Sequence, residues 1–464
     1  MGAGVAGLPP PPGDDSSPAA PPGRWRRAAR ILSGEVARKG YLSGLDQALI
    51  SFTNFTASIL LARALTPTQF GAYGVGFLLL YLGRAFQEGL IVQPMTSLAP
   101  GMQGDAKRRY LTGSGALQVG LAAGEAAACA ALGWLLTRWG NTVAGPTLFA
   151  LWLPLLLAQP QEYVRRVFYT LDLVNFAVLN TFVSSVVRLA VTVWLLAAGA
   201  DSGTVGLVAI GCGAAAGLLL GLIETRRLWV RRGVDLAATW RRNWGFGRWV
   251  LGSTVANWIA VDVYPVLTAG LVSFAATGAY RALQNIVAPI HSLLRAMDTY
   301  FTPRLAERRR IAGPGGVELM VRRMFLVTGP PVALVLIVAV TFAEPLLQLL
   351  YGPTYVEYAG GMRLMAIFYA LLYSFWPIQS ALKALERTRA IFLGSLGAMI
   401  AMATAGVWAI LRMGVYGTIA GQALSAAILS LVLWSSWLRW RHAQRNGAGA
   451  SAAAGAEHSE GRSV

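Results

Sequence analysis

The sequence predicts an all-α integral membrane protein of about twelve transmembrane helices, built as two six-helix parallel repeats around a central cavity. Three observations predict it. The 464-residue chain is 55% hydrophobic and 13% charged, with a mean hydropathy of +0.52, a balance suited to a bilayer. Its Lys and Arg residues cluster in alternate connections between apolar stretches. A polar stripe and a Gly-Ala-Tyr triplet near the start recur in the second half of the chain.

Residues 1–23 are rich in Pro, Gly and Ala without an apolar core, and are expected to be a disordered tail and not a cleaved signal. Residues 24–41, with Arg24, Trp25, Arg26, Arg27, Arg30, Ile31 and Leu32, suit either a basic membrane-surface segment or the positive flank of the first span. An N-terminal six-helix bundle is expected over 42–223, a basic linker over 224–246 and a C-terminal six-helix bundle over 247–440. Residues 441–464, again Ala- and Gly-rich, are expected to be a second disordered tail.

A bilayer core of about 30 Å takes roughly 20 apolar helical residues. Twelve stretches qualify, at about 42–64, 69–94, 112–136, 143–160, 173–198, 204–223, 247–269, 277–300, 322–350, 361–382, 390–411 and 415–438. In the first, Ser43, Gln47, Asn54 and Ser58 form one polar stripe, which argues for a face turned away from lipid. Between the first two spans, Thr66 and Gln69 have capping-box spacing and Pro67 stands at the first helical position. Ser253, Asn257, Tyr264 and Thr268 repeat the stripe, and Gly278-Ala279-Tyr280 repeats Gly71-Ala72-Tyr73 at an offset of 207. An even number of helices per half makes the repeats parallel and puts the natural cavity between them.

Lys107-Arg108-Arg109, Arg165-Arg166, the arginines from 226 to 242, Arg304 to Arg310, and Lys383, Arg387 and Arg389 fall on one side, so both termini are expected in the cytoplasm. Only Arg63, Arg138, Arg363 and Arg412 edge the opposite loops. The excess of 39 Lys+Arg over 21 Asp+Glu is thus a topology signal and not a nucleic-acid surface. Cys129 and Cys212 sit in apolar segments, so no disulfide, metal or cofactor is expected.

Arg84, Arg188, Arg281 and Arg295 fall inside spans, where each costs about 2.5–3.5 kcal/mol at mid-bilayer facing lipid. Arg84 with Glu88 and Arg295 with Asp298 are spaced to pair on their own helices. In the eighth span Arg281, Gln284, Ala288, His291, Arg295 and Asp298 share one face, which should line water or protein. The repeat offset sets Arg84 opposite His291 and Glu88 opposite Arg295, pointing to a shared cavity. Glu125, Arg188 and Asp262 lack a partner on their own helix, so either pairing between helices or a transport role accounts for them. Asp262, Asp298 and Glu125 are the candidates for ion coupling. Trp258 and Tyr264 suit either sugar stacking or plain packing.

The turn Leu65-Thr66-Pro67-Thr68-Gln69-Phe70-Gly71-Ala72-Tyr73 with Gly89-Leu90, the opening Phe246-Gly247-Arg248-Trp249 of the second half, and Gly278-Ala279-Tyr280 leading to Thr302-Pro303-Arg304-Leu305-Ala306 carry a resemblance. Over about residues 36–440 the chain resembles the O-antigen-type polysaccharide flippases of the multidrug/oligosaccharidyl-lipid/polysaccharide exporter (MOP) superfamily. The resemblance implies a bacterial inner-membrane protein that moves a polyprenyl-pyrophosphate-linked oligosaccharide, with membrane lipids, a polysaccharide polymerase and other assembly proteins as partners. Arg84, Glu88, Arg188, Arg281, Gln284, His291 and Arg295 are the expected cavity residues, the arginines attracting pyrophosphate. The alternative is a cation-coupled small-molecule, multidrug-type antiporter, for which a mainly basic stripe is the wrong polarity if the cargo is cationic. A membrane enzyme is disfavoured by short outer loops, and the chain has no Gly-rich phosphate cradle.

Overall fold

The computed structural model describes residues 35–230, 232–385 and 387–460. Its regular structure over those residues is helical. The expected surface helix at 24–41 lies mostly outside the described residues, and α1 begins at Glu35 and runs to Ala64. Thr66 Oγ1 then accepts the Gln69 N–H at 3.3 Å, and Pro67 opens α2 (Pro67–Gln87). Only half of the expected capping box forms, because the Gln69 side chain instead accepts the Gly203 N–H at 2.9 Å, tying this turn to the start of the sixth span.

The rest of the first half comprises α3 (Gln93–Leu98), reached through a π turn at Glu88–Val92, then α4 (Gly104–Arg138), α5 (Ala144–Ala150), α6 (Trp152–Thr170), α7 (Val174–Ala197) and α8 (Thr204–Glu224). The second half comprises α9 (Leu236–Val261), α10 (Tyr264–Leu271), α11 (Phe274–Thr341), α12 (Ala343–Tyr351), α13 (Gly361–Ala384), α14 (Thr388–Ala401) and α15 (Val407–Glu460). Helix α9 starts at Leu236, capped by Asp235, so the seventh span begins inside the expected linker. Helix α15 continues to Glu460 through the segment expected to be disordered, whose alanines favour helix.

Two glycines with positive φ divide the longest helices. Gly313 (φ 58°) splits α11, and Gly414 (φ 54°) splits the last hairpin, where a Cβ on Gly417 would lie 2.0 Å from the Ala409 carbonyl oxygen. Among the described residues, eight helices are long and apolar enough to cross a membrane, or nine when α9 and α10, bent by 50°, count as one. The remaining passes are hidden for physical reasons. Helices α5 and α6 break at Leu151 and carry Gln159, Gln161 and Glu162; the first leg of α11 carries the polar stripe; and the passes either side of Gly414 are read as one. The chain forms twelve passes in two six-helix repeats.

Burial ranks the spans. In its most apolar stretch the second span is 61% buried and the third only 17%, so α2 is central and α4 faces lipid. The halves meet where α2 crosses α11. A Cβ on Gly71 would fall 1.7 Å from the Phe274 carbonyl oxygen, and one on Gly278 would fall 2.4 Å from that of Pro67. Phe274 is to Pro67 as Gly278 is to Gly71, so the repeated triplets are the two sides of one pseudo-twofold contact.

Arg165 corrects a sequence-level expectation. Counted there as a loop charge, it is 5% exposed at the end of α6, with Nη1 donating to Asp46 on α1 and Nη2 donating to Glu162 at 2.7 Å. Asp46 is itself 0% exposed and also accepts from the Tyr169 hydroxyl at 2.7 Å. This buried, multiply hydrogen-bonded cluster fixes the first helix against the fourth span.

Candidate substrate site

Helix α2 carries an aromatic row at helical spacing: Phe70, Tyr73, Phe77 and Tyr81, with successive ring centroids 6.2, 5.9 and 5.0 Å apart. Three arginines from three helices lie along it. Arg188 on α7 donates to Tyr73 Oη at 3.3 Å and to Asn54 Oδ1 at 2.7 Å. Arg281 on α11 lies over the Phe77 ring at 4.5 Å from its centroid. Arg84 lies over Tyr81 at 5.3 Å. The Nε of each of these three guanidinium groups is buried and makes no hydrogen bond.

Aromatic faces hold Arg84 and Arg281 at depth, by roughly 0.5–2 kcal/mol each, and an amide and a phenol oxygen hold Arg188, with no ion pair to a described carboxylate in any of the three. An ion pair would neutralise the charge. The row therefore keeps positive charge and donor capacity available to an anionic group. Gly74 stands opposite Arg281 across the seam, its Cβ position in ordinary contact at 3.7 Å from the arginine's Cγ.

From Arg281 a hydrogen-bonded chain runs through the second half. Arg281 Nη1 donates to Gln284 Oε1 at 3.1 Å, Gln284 Nε2 donates to Tyr280 Oη at 3.1 Å, and that hydroxyl donates to Gln422 Oε1 at 2.8 Å. Gln422 Nε2 then donates to the Val261 carbonyl at 3.0 Å, satisfying backbone at the break between α9 and α10. Asp262 caps α9 at that break, within electrostatic reach of Tyr280 and Tyr369. His291 Nε2 is 2.7 Å from Tyr369 Oη on α13, so it turns into its own half and not across the seam.

Glu125 on α4 belongs to a separate cluster in the first half. Gln159 Nε2 donates to its Oε2, Gln118 Nε2 donates to Gln159 Oε1 at 2.9 Å, and Gln87 Nε2 donates to the Gln159 carbonyl at 2.7 Å. Its Oε1 is buried and unpartnered. The cluster abuts Gly83, where a Cβ would lie 2.7 Å from Glu125 Oε2.

Of the residues singled out by sequence, the structure brings Arg84, Arg188 and Arg281 to the α2 row, with Gln284 bonded to Arg281. Glu88 does not pair with Arg84; the π turn brings Gln93 round to donate to it at 2.8 Å. The side chains of Arg295 and Asp298 lie outside the described residues. Tyr264 is fully buried and donates to the Gly421 carbonyl at 2.8 Å, and Trp258 is 8% exposed, so both pack. Asn54 and Ser58 of the first stripe do face protein, Ser58 accepting from Asn285 of the other half. Phe77, Tyr81, Tyr280 and Gln422 were missed. Only the i, i+4 spacing of Phe77 and Tyr81 was there to be read, and that pattern is the ordinary mark of packing.

No protein-family model and no curated protein matches the sequence. Solved structures do match in fold. The chain is similar to the inward-facing conformation of a multidrug resistance MATE family transporter of the MOP superfamily, with a TM-score of 0.65 at 14% identity over 85% of this chain and 94% of that one. The outward-facing conformation of such a transporter gives 0.61 at 14% identity over 89% and 97%. A MOP superfamily transporter from Pyrococcus furiosus, whose reversed binding-pocket polarity suggests a different function for it, gives 0.60 at 14% identity over 89% and 97%. These likenesses fix the fold.

Proposed function

We propose that this chain is a secondary transporter that moves a small amphipathic molecule with an anionic group across the membrane by alternating access of its two bundles, coupled to a cation gradient. The observation that carries it is the row of Arg84, Arg188 and Arg281 on the aromatic face of α2, each guanidinium with a buried, unsatisfied Nε. The fold neighbours weigh for a small-molecule antiporter, and the arginines weigh for an anionic cargo. Glu125, with one buried unpartnered oxygen, and Asp262, at the broken seventh span, are the groups to carry a coupling cation. The proposed setting is a bacterial plasma membrane with both termini cytoplasmic.

A second reading, a flippase for a polyprenyl-pyrophosphate-linked oligosaccharide, is favoured by the same arginines, because pyrophosphate is the anion guanidinium matches best. Proteoliposomes under an imposed proton or sodium gradient separate the two. The first reading expects protein-dependent, saturable movement of a fluorescent anilinonaphthalene sulfonate and none of ethidium. Movement of ethidium alone overturns both readings. If neither dye moves while a lipid-linked oligosaccharide becomes accessible on the far leaflet, the second reading replaces the first.

A further inference from the structure

A cavity of about 840 Å³ lies between the two legs of α11, apart from the arginine row. Its helical face sets it apart from the transport site. Leu293, Met297, Phe301, Arg304 and Arg308 advance by four, four, three and four residues, on the side of the helix away from Arg281, Gln284 and His291. The returning leg contributes Arg323, Leu326 and Val327. Leu326 and Val327 are each 64% exposed, so the mouth opens where a membrane's acyl chains would lie.

Chemistry changes along the cavity's length. Of the described lining residues, those away from the Gly313 turn are apolar save Thr328, whose hydroxyl donates to the Met324 carbonyl at 2.7 Å. Among the described residues, its end nearest the Gly313 turn is rimmed by Arg304, Arg308 and Arg323, all exposed, and by one carboxylate, that of Glu307. That is the end which the basic-loop pattern assigns to the cytoplasm. An apolar slot at acyl depth with a net positive rim at headgroup depth has the shape and charge order of an anionic glycerophospholipid, and not of a free anion or a neutral lipid.

We propose that this cavity holds one anionic phospholipid of the cytoplasmic leaflet, its phosphate on Arg308 and Arg323 and an acyl chain along Met297 and Phe301. The bound lipid would join the two legs of α11 at the point where they separate, and so brace the helix that carries Arg281. This site is independent of what the arginine row transports, so a failed transport assay leaves it standing.

The test uses the purified full chain in lipid nanodiscs and native mass spectrometry, with phosphatidylglycerol and phosphatidylcholine as probes. Wild type is expected to retain one phosphatidylglycerol at least tenfold more tightly than phosphatidylcholine. R308Q/R323Q should weaken that retention about tenfold or more, whereas R232Q/R241Q, which removes two exposed charges from the linker region, should leave it unchanged. L326W, which fills the mouth without altering charge, should weaken both lipids. Equal retention of the two lipids by wild type, unchanged retention by R308Q/R323Q, an equal loss in R232Q/R241Q, or unchanged retention by L326W would each overturn the proposal.

Discussion

Arg281 shows what one residue contributes. Facing lipid at mid-bilayer it would cost about 2.5–3.5 kcal/mol; on the Phe77 ring and hydrogen-bonded to Gln284 it is held without a counter-ion. Arg281→Gln removes the charge but keeps a polar side chain of similar reach. Transport should fall at least tenfold at unchanged membrane level, corresponding to about 1.4 kcal/mol or more of lost interaction. Arg281→Lys should not restore it, because an ammonium neither stacks as a plane nor donates in a fork. Full rates in either variant would remove the cation row from the site. Asp46 is the opposite case, a structural charge. Asp46→Asn leaves Arg165 paired with Glu162 but with a weaker partner on α1, and should lower the detergent melting temperature by the equivalent of about 1–3 kcal/mol. Arg281 was legible because its stripe lies on one helix. Arg165 was not, since its partner Asp46 is 119 residues away and a loop arginine has the same one-letter code.

At the scale of elements, the repeat was the strongest sequence signal, and its meaning became clear only from backbone distances. Gly71 and Gly278 recur because α2 and α11 touch there backbone to backbone, which no side chain permits. Gly71→Ala places a methyl group within 1.7 Å of a carbonyl oxygen, so the seam must open. Transport by Gly71→Ala should be abolished or fall by an order of magnitude, and Gly278→Ala should show the same defect. Gly44→Ala, with nothing within 4 Å of its Cβ position, should be neutral, and is the control for helix propensity alone. Equal activity of Gly71→Ala and Gly44→Ala would mean that the seam is not tight. Gly414 fails by another route: at φ 54°, ψ −121° an alanine is strained by about 1–3 kcal/mol, so Gly414→Ala should loosen the last hairpin and lower thermal stability. The twelve passes were countable in the sequence from apolar length together with the alternation of basic clusters, and the spans that bear the polar groups are the ones least like a membrane helix.

For the whole molecule, the two bundles are closed at one end. Arg63, at the end of α1, donates through Nε to the Leu350 carbonyl at 2.7 Å and through Nη2 to that of Leu349, so a side chain of one half caps the C-terminus of α12 in the other. The Gly71–Gly278 contact lies at the same end. If the proposed alternating access holds, the halves part at this end once per turnover and the Arg63 cap breaks with them. Trapping that contact should therefore stop transport without unfolding the protein. In a background with Cys129 and Cys212, the free cysteines, replaced by serine, Arg63→Cys with Leu349→Cys should be bridged by a reducible bifunctional thiol cross-linker of about an arginine's reach. Transport should halt on cross-linking and return on reduction, while each single cysteine variant is indifferent to both. Continued transport by the cross-linked protein would show that the halves do not part at this end, and with it the rocking of two rigid bundles would have to be abandoned.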